Sequence, residues 1–456
     1  MRVRLGTNTG ARWRNALLGA GCAVTAIGAL TMNLSGEASA DLAARALGLP
    51  MSTPHHLIGG RTPAQDGGSF VLTAAVAGGG SGGGSSSTTG ASVLRRFAPL
   101  YMGGQQGYTA AQALQFAKSF DVIADQGGHL TPFLSAMRTA NPILKVVAYM
   151  NGAFDQSANG TSYPAAWYAH DSKGNRIRSR MFGNWLMDPT STGWHGAVAG
   201  NCKQLLASSH YDGCFLDTLG LGPLMPGYVT SLPVNPATHQ VYTGQAWIAA
   251  QSATVAAAVN GNAGAMIMAN GLASGKKFFG GGGAPTAPLL SAGHWAMSEL
   301  WLRISRNPVN SYPAVSDWLS DVKMLQDAES HGWGVMTTTK LWVNATAAQQ
   351  AAWHKFTLAS FLLAAGGHSA YSFSTAQTTA ALSATDSYDT VPVGSPLGAM
   401  VQKGSVYERQ FSNGWVVVNP GTSAVSVNFN GPYQSLSGST VSSETLAPHS
   451  GDVLVG

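Results

Sequence analysis

Three carboxylates stand where short apolar segments end, and their positions make them candidates for acid–base chemistry. Asp217 ends the segment Tyr-Asp-Gly-Cys-Phe-Leu-Asp, Glu299 ends His-Trp-Ala-Met-Ser-Glu, and Asp125 ends Phe-Asp-Val-Ile-Ala-Asp. Burying an unpaired carboxylate is costly, so each is either exposed in a cleft or held by hydrogen bonds. Two such groups facing one another can protonate a leaving oxygen and attack carbon or activate water. The alternative for each acid is a structural salt bridge.

Eight apolar segments alternate with helical patterns and predict the scaffold that positions these acids. The predicted strands cover residues 97–102, 120–125, 145–150, 213–217, 265–269, 294–300, 334–338 and 369–373. The predicted helices cover residues 110–118, 132–138, 196–207, 245–259, 315–329 and 347–364. This alternation predicts an α/β fold, a (β/α)8 TIM barrel. A doubly wound sheet competes with it, but no Gly-rich dinucleotide loop follows the first strand.

Residues at the C-terminal ends of the strands should meet at the mouth of such a barrel. Alternation along the fourth strand sends Asp217, Phe215 and Gly213 inward, while Cys214 faces the helices. Hydrolysis of a glycosidic bond requires two opposed carboxylates on separate elements. We therefore predict that Asp217 and Glu299 are the catalytic pair.

Polar and aromatic side chains near the same strand ends are suited to holding a sugar. Indole rings stack on apolar surfaces such as the C–H faces of sugars, and hydroxyls, amides and amines form hydrogen bonds. Four tryptophans lie in or near predicted strand-end loops, namely Trp185, Trp295, Trp301 and Trp342. The predicted substrate-binding residues are Asp125, Tyr149, Asn151, Asn270, Trp301, Lys340 and Tyr371.

The fourth predicted strand resembles a known signature. Residues 211–220, Tyr-Asp-Gly-Cys-Phe-Leu-Asp-Thr-Leu-Gly, look like the DG-x-F-L-D motif of secreted barrel glycoside hydrolases. These include the hypothetical glycosyl hydrolase group allied to the polygalactosaminidases and, more distantly, the α-galactosidase and α-amylase clans. Residues 145–152, 297–301, 419–420 and 446–448 support the similarity, which spans about residues 97–456. The resemblance implies that Asp217 is the nucleophile or base and Glu299 the general acid. The distant clans often carry Asp at the position of Glu299.

The first 90 residues predict export. A basic stretch precedes an apolar run of 19 residues, and Ala-Ser-Ala at 38–40 forms a cleavage site, so residues 1–40 are interpreted as a signal peptide. The length of the run also fits an uncleaved anchor. Residues 41–90 form a weakly patterned tail that ends in a Gly/Ser linker. We expect a secreted or surface-anchored protein, tethered through its N-terminus to the cell wall or membrane.

Two cysteines lie outside this leader. Cys202 falls on the helix before the fourth strand and Cys214 on the outward face of that strand. An oxidising compartment permits a bridge between them, and a simple buried pair is the alternative. Both readings are structural.

The remaining sequence divides into two predicted domains. Residues 91–395 contain the barrel, and residues 396–456 contain short strands without helical periodicity, which predicts a small antiparallel β-sandwich. A hairpin signal, Asn413-Gly414, lies between two of these strands.

Composition excludes several function classes. The formal charge of +5 includes +3 from the leader, so a basic surface for nucleic acid is not indicated. The sequence lacks the His-Glu-x-x-His, Gly-x-Ser-x-Gly and Walker motifs, and we expect no cofactor or metal. We expect a monomer that acts on a polysaccharide or oligosaccharide. Two alternatives are a catalytically silent carbohydrate-binding barrel and a surface adhesion protein that works through its β-domain.

Overall fold

A closed barrel of parallel strands forms the larger part of the protein. The computed structural model describes residues 93–104 and 107–456; the predicted signal peptide, tail and linker lie outside this part. Strands β1–β8 are Phe97–Ala98, Val122–Gln126, Lys145–Asn151, Gly213–Asp217, Met266–Asn270, Trp295–Ser298, Gly334–Lys340 and Ala370–Ser374. They pair in this order, and a parallel bridge between Arg96 and Tyr371 closes the sheet. The predicted (β/α)8 barrel is confirmed.

Helices follow most strands and cover the outside of the barrel. Within the described residues, helices α1–α9 are Ala110–Ser119, Leu134–Ala140, Thr192–Ser209, Gly244–Gly261, Gly275–Phe278, Ala287–Gly293, Val315–Ser330, Ala347–Leu362 and Thr379–Leu382. Capping boxes begin α1 at Thr109 and α8 at Thr346, because each threonine exchanges hydrogen bonds with a glutamine three residues later. No helix in the described part of the chain is long and apolar enough to cross a membrane.

Strand β4 confirms the alternation read from the sequence. Phe215 points into the barrel, where its ring lies 4.7 Å from Tyr101 and 6.2 Å from Tyr149. Gly213, the first residue of β4, must be a glycine, because a Cβ atom there would lie 1.8 Å from the Met266 carbonyl oxygen of β5. This close approach explains the glycine of the strand-four motif, and it leaves Asp217 at the open end.

The outward face of β4 carries a disulfide bond. Cys214 is bonded to Cys202 of α3, and both residues are fully buried in the layer between barrel and helices. The sequence had left a bridge and a reduced pair open, and the structure contains the bridge. It fastens α3 to the strand that positions Asp217.

Removing this disulfide should lower stability without disabling the mouth of the barrel. Its cysteines are 12 residues apart, and restricting a loop of that size in the unfolded chain contributes about 3 kcal/mol. We expect the free energy of unfolding of the Cys202→Ala, Cys214→Ala double variant to be lower by this amount. The variant should therefore unfold at a lower guanidinium concentration. Wild-type protein treated with dithiothreitol is the control, and its unfolding midpoint should approach that of the variant. An unchanged midpoint in both samples would contradict the stabilising role.

A six-stranded antiparallel sheet follows the barrel. Strands β9–β14 are Val401–Lys403, Val406–Phe411, Gly414–Asn419, Val425–Gln434, Thr440–Leu446 and Ser450–Val455, in the order β9-β10-β11-β14-β12-β13. One face packs on α8, where Lys355 pairs with Asp452 at 3.6 Å. The other face encloses a second small core that includes Trp415, Phe429 and Leu454. The predicted C-terminal β-fold is confirmed, but the sequence missed β13, whose exposed Ser- and Thr-rich residues lack an apolar alternation.

Candidate active site

Four polar side chains stand side by side at the C-terminal ends of four neighbouring strands. Asp217 ends β4, Asn270 ends β5, Glu299 directly follows β6, and Lys340 ends β7. Since these strands are consecutive in the barrel, their terminal residues form one continuous row across the mouth. The two acids that the sequence singled out are therefore close in space, and two of the predicted binding residues lie between and beside them.

One amide nitrogen joins the two acids. Asn270 Nδ2 donates to Asp217 Oδ1 at 2.7 Å and to Glu299 Oε2 at 3.0 Å. Because both bonds share this nitrogen, the two carboxylate oxygens can be no farther apart than the two bond lengths together. The acids thus face each other across the width of one amide group.

Glu299 also forms a buried ion pair. Lys340 Nζ lies 2.6 Å from Glu299 Oε1, the lysine side chain has no exposed surface, and Glu299 is 4% exposed. The indole ring of Trp342 lies 5.1 Å from the same ammonium group, which adds a cation–π contact. A buried ammonium requires an anionic partner, and Glu299 is the carboxylate in position to provide it.

Asp217 lies in a different environment. The Tyr149 hydroxyl donates to Asp217 Oδ2 at 3.0 Å, and the Tyr149 ring stacks on Tyr101 with their centroids 5.1 Å apart. Burial of the carboxyl, followed by the negative charge of Glu299, raises the pKa of Asp217, although its hydrogen bonds act in the opposite direction. Burial and the nearby Asp217 likewise raise the pKa of Tyr149, so this phenol stays a hydrogen-bond donor.

A pocket opens beside Glu299. It is a small cleft with a free volume of about 30 Å³, and Glu299 and Asn270 lie in its wall. The rest of the lining consists of Leu219, Leu221, Gly222, Gly271, Ala273, Lys277, Thr286 and Leu300. Asp217 is partly exposed at the edge of this space and does not line it.

Two tyrosines of this site escaped the sequence analysis. Tyr101, in the 3-10 turn after β1, supports the Tyr149 ring and directs its hydroxyl to Met297 Sδ at 3.5 Å. Tyr228, in the long loop after β4, is buried with a hydroxyl that makes no hydrogen bond in the described part of the chain. Burial, then Asp217 and Glu299, raise the pKa of Tyr228. Both tyrosines follow the C-terminal end of a strand, and an aromatic side chain at such a position is the signal that could have identified them. The sequence analysis used this criterion only for tryptophans.

Three predicted binding residues lie elsewhere. Tyr371 points away from the barrel axis and shares a 2.6 Å hydrogen bond with Thr357 of α8. Trp301 is fully buried in the helical layer, and its Nε1 donates to the Thr357 carbonyl at 3.4 Å. Asp125 also faces outward, where Oδ2 accepts from Tyr211 and from the Leu130 amide. These assignments are corrected: alternation on β2 and β8 turns Asp125 and Tyr371 to the helices, and Trp301 follows β6 into the core.

Asn151 lies in the mouth but serves the local loop. Its Oδ1 accepts hydrogen bonds from the amides of Ala153 and Phe154, and its Nδ2 donates to Thr218 Oγ1 at 3.1 Å. The side chain therefore shapes the loop after β3 and holds it against the end of β4. The other predicted tryptophan platforms divide: Trp295 begins β6, at the opposite end from Glu299, whereas Trp342 adjoins Lys340.

The core position of Trp301 leads to a measurable expectation. Trp301→Phe leaves a cavity and removes one hydrogen bond, so it should cost about 1–2 kcal/mol of stability. Because the ring does not reach the pocket, KM for a carbohydrate substrate should stay within about twofold of the wild type. Thermal unfolding and substrate kinetics check the two parts. A large rise in KM with unchanged stability would restore the sugar-platform interpretation.

A cluster of metal-ligand residues lies outside the mouth. Among the described residues, His354, Asp386 and Asp389 bring ligand atoms within 4.8 Å of one another. The imidazole Nδ1 lies 2.9 Å from Asp386 and Nε2 lies 3.6 Å from Asp389, while Arg96 pairs with Asp389 at 3.1 Å. Burial lowers the pKa of His354, but the hydrogen bond to Asp386 and the nearby Asp389 carboxylate outweigh it and raise the pKa overall. Because Arg96 and the His354 imidazole already contact both carboxylates, the cluster fits an ion-pair and hydrogen-bond network better than a metal site.

The model of hypothetical glycosyl hydrolase family 15 matches residues 140–415. This range includes β3 to β8 and every member of the polar row. The chain belongs to hypothetical glycosyl hydrolase family 15. It is therefore a glycoside hydrolase with a carbohydrate substrate, as the resemblance of the fourth strand implied. No curated protein sequence matches the chain significantly.

Solved structures of carbohydrate-active enzymes are similar at low identity. The noncanonic maltogenic alpha-amylase AmyB from Thermotoga neapolitana is 10% identical, with 80% of this chain and 96% of that chain covered and a TM-score of 0.47. Amy13B of Eubacterium rectale is 10% identical, with coverages of 76% and 89% and a TM-score of 0.43. The GH36 alpha-galactosidase AgaA from Geobacillus stearothermophilus is 10% identical, with coverages of 79% and 55% and a TM-score of 0.41. Residue roles in this family member must come from its own geometry.

Proposed function

We propose that this glycoside hydrolase is exported and cleaves an extracellular or cell-wall polysaccharide through Asp217 and Glu299. The observation that carries the proposal is the pair of acids held on one Asn270 nitrogen at the mouth of the barrel. Both acids point inward, and among the described residues the one cation paired with either of them is Lys340 of the same row, which favours an enzyme over a silent binding barrel. Tyr149 and Lys340 position the pair.

The spacing of the acids supports retention of anomeric configuration. Retaining enzymes hold their two carboxyl groups about 5–5.5 Å apart, whereas inverting enzymes leave about 6.5–9.5 Å for a water molecule. Asn270 Nδ2 donates both bonds, at 2.7 Å and 3.0 Å, so the distance between the two accepting oxygens is shorter than the spacing of inverting enzymes. We therefore propose a double displacement through a glycosyl-enzyme ester.

Export is supported by two independent features. The N-terminal basic and apolar segments with the Ala-Ser-Ala site favour a secretory signal, and the Gly/Ser linker favours a tethered catalytic domain. The Cys202–Cys214 disulfide is typical of an oxidising compartment. The proposed location is the cell exterior, with attachment through the N-terminal segment.

The test is hydrolysis of a panel of bacterial and fungal polysaccharides by the full-length protein. We expect new reducing ends from at least one glycan, and proton NMR of the first product should show the anomeric configuration of the substrate. Binding to a glycan without any cleavage would overturn the hydrolase and favour the silent binding barrel. Cleavage with inversion would overturn the double displacement alone.

A further inference from the structure

The two acids differ in the charge that surrounds them. Within the described part of the chain, Lys340 is the one cation that forms an ion pair with either acid, and it pairs with Glu299. The described groups that donate hydrogen bonds to the Asp217 carboxyl are neutral, namely the Asn270 amide, the Tyr149 hydroxyl and the Thr218 backbone N–H. One ammonium group can balance one carboxylate. A second negative charge at this short distance is disfavoured, so the pair is expected to retain one proton.

We propose that Lys340 is a positioning residue that decides which acid carries this proton. It holds Glu299 as the carboxylate nucleophile and leaves the proton on Asp217, which is then the general acid. This order reverses the roles that the strand-four resemblance implies. The inference rests on the proposed retaining hydrolase and assigns the parts within it.

The surroundings of the pair are consistent with this order. The titratable groups that face it are Tyr149 from β3, Tyr101 from the turn after β1 and Tyr228 from the loop after β4. Burial raises the pKa of all three phenols, so they stay neutral and add no charge that could favour either acid. Lys277 also lines the pocket. The direct contact of Lys340 with Glu299 at 2.6 Å is therefore the strongest asymmetry between the acids.

The shape of the site agrees with the charges. Glu299 forms part of the pocket wall, whereas Asp217 lies at its edge and is partly exposed. With these roles, the anomeric carbon of a sugar bound at the mouth would face Glu299. Its glycosidic oxygen, which leads to the rest of the polymer, would face the more exposed side where Asp217 lies.

The two half-reactions balance with these roles. In the first, a Glu299 oxygen bonds to the anomeric carbon, the bond from that carbon to the glycosidic oxygen breaks, and the proton of Asp217 passes to the departing oxygen. In the second, the Asp217 carboxylate takes a proton from water and the resulting hydroxide bonds to the anomeric carbon. The ester bond breaks, Glu299 leaves as a carboxylate, and Asp217 is again protonated.

Carbon-13 NMR of the free protein tests where the proton rests, without any substrate. The sequence contains five glutamates, so side-chain carboxyl labelling gives few signals, and Glu299→Gln assigns the one of interest. At about pH 5, near the ordinary carboxyl range, we expect the Glu299 signal at its ionised position and the labelled Asp217 signal at its protonated position. Lys340→Met should move the Glu299 signal toward the protonated position, and Lys340→Arg should restore it. The opposite assignment of the two signals in the wild type would overturn the proposal.

Azide rescue tests the same order during the reaction, on the glycan that the wild type cleaves. In Glu299→Ala, azide attacks in place of the nucleophile and should give a glycosyl azide of inverted configuration. In Asp217→Ala, azide attacks the glycosyl-enzyme and should give a product of retained configuration. Exchanged configurations would overturn the assignment while leaving the retaining hydrolase intact. Absence of cleavage by the wild type would instead count against the proposed function, and the NMR measurement would still decide the proton position.

Discussion

Full-length protein with Asp217→Asn should hydrolyse its glycan at least about a thousandfold more slowly than the wild type, and Glu299→Gln should lose at least as much. In the proposed mechanism, each change removes one of the two functions that cleavage of a glycosidic bond needs. Asparagine at 217 cannot transfer a proton, and glutamine at 299 cannot form the ester. Since both replacements keep the shape of the side chain, the loss should appear in kcat, measured by release of reducing ends.

Two acids in the C-terminal sheet provide matched controls. Glu408 is a buried glutamate paired with Lys403, as Glu299 is paired with Lys340, and Asp452 is a buried aspartate next to Lys355. Glu408→Gln and Asp452→Asn test the loss of a buried charge outside the mouth. They should lower thermal stability at most and leave kcat within about threefold of the wild type, because neither group touches the reacting atoms. Equal losses of kcat in all four variants would show that stability rather than chemistry is being measured.

The barrel and its two acids could be predicted from the sequence, and the reasons are physical. All eight strand positions were recognisable because each strand is buried on both faces and forms a short apolar run, as in β4 and β5. A carboxylate at the end of such a run stands out against it. The rule that strand ends meet at the mouth then sufficed to bring Asp217 and Glu299 together.

The direction of side chains was harder to predict than their position along the chain. Alternation from a strand-end acid assumed to face the mouth gave the observed direction on β4, with Phe215 inside the barrel. The same assumption failed on β8, where Tyr371 occupies an outward position. Trp301 follows Glu299 by only two residues, but the chain turns away after β6 with Leu302 in a left-handed conformation. A one-residue error of phase exchanges the mouth for the core, so strand-end position alone cannot identify a binding residue.

The distances between the site residues and the pairing of their charges could not be predicted from the sequence. Lys340 was predicted to bind a hydroxyl because it ends a strand, but its partner is Glu299, which lies 41 residues earlier. Asn270 was assigned the same role, and it donates to both acids instead. Such contacts arise between neighbouring strands, so their detection requires the register of the sheet.

Asn270→Leu should lower kcat by about a hundred- to a thousandfold, the range seen when one preorganised donor is removed from an active site. The substitution is similar in volume but removes the nitrogen that hydrogen-bonds Asp217 and Glu299. The acids then lose the group that fixes their spacing and lowers their repulsion. Thermal unfolding and kcat should be measured together, with Asn262→Leu as control. Asn262 is also a buried asparagine with two hydrogen bonds, and these go to helix carbonyls at Ala199 and Ala258.

Asn270→Asp separates the hydrogen bond from the charge. The replacement keeps the shape of the side chain but places a third carboxyl between the two acids. Negative charge favours the protonated form of every neighbour, so both limbs of the pH profile of kcat/KM should move to higher pH. In Asn270→Leu the same limbs should move less. The repulsion between Asp217 and Glu299 is then no longer offset by the amide, but no third charge is added to it. A profile unchanged in both variants would mean that Asn270 fills space beside the acids and does not control their charge.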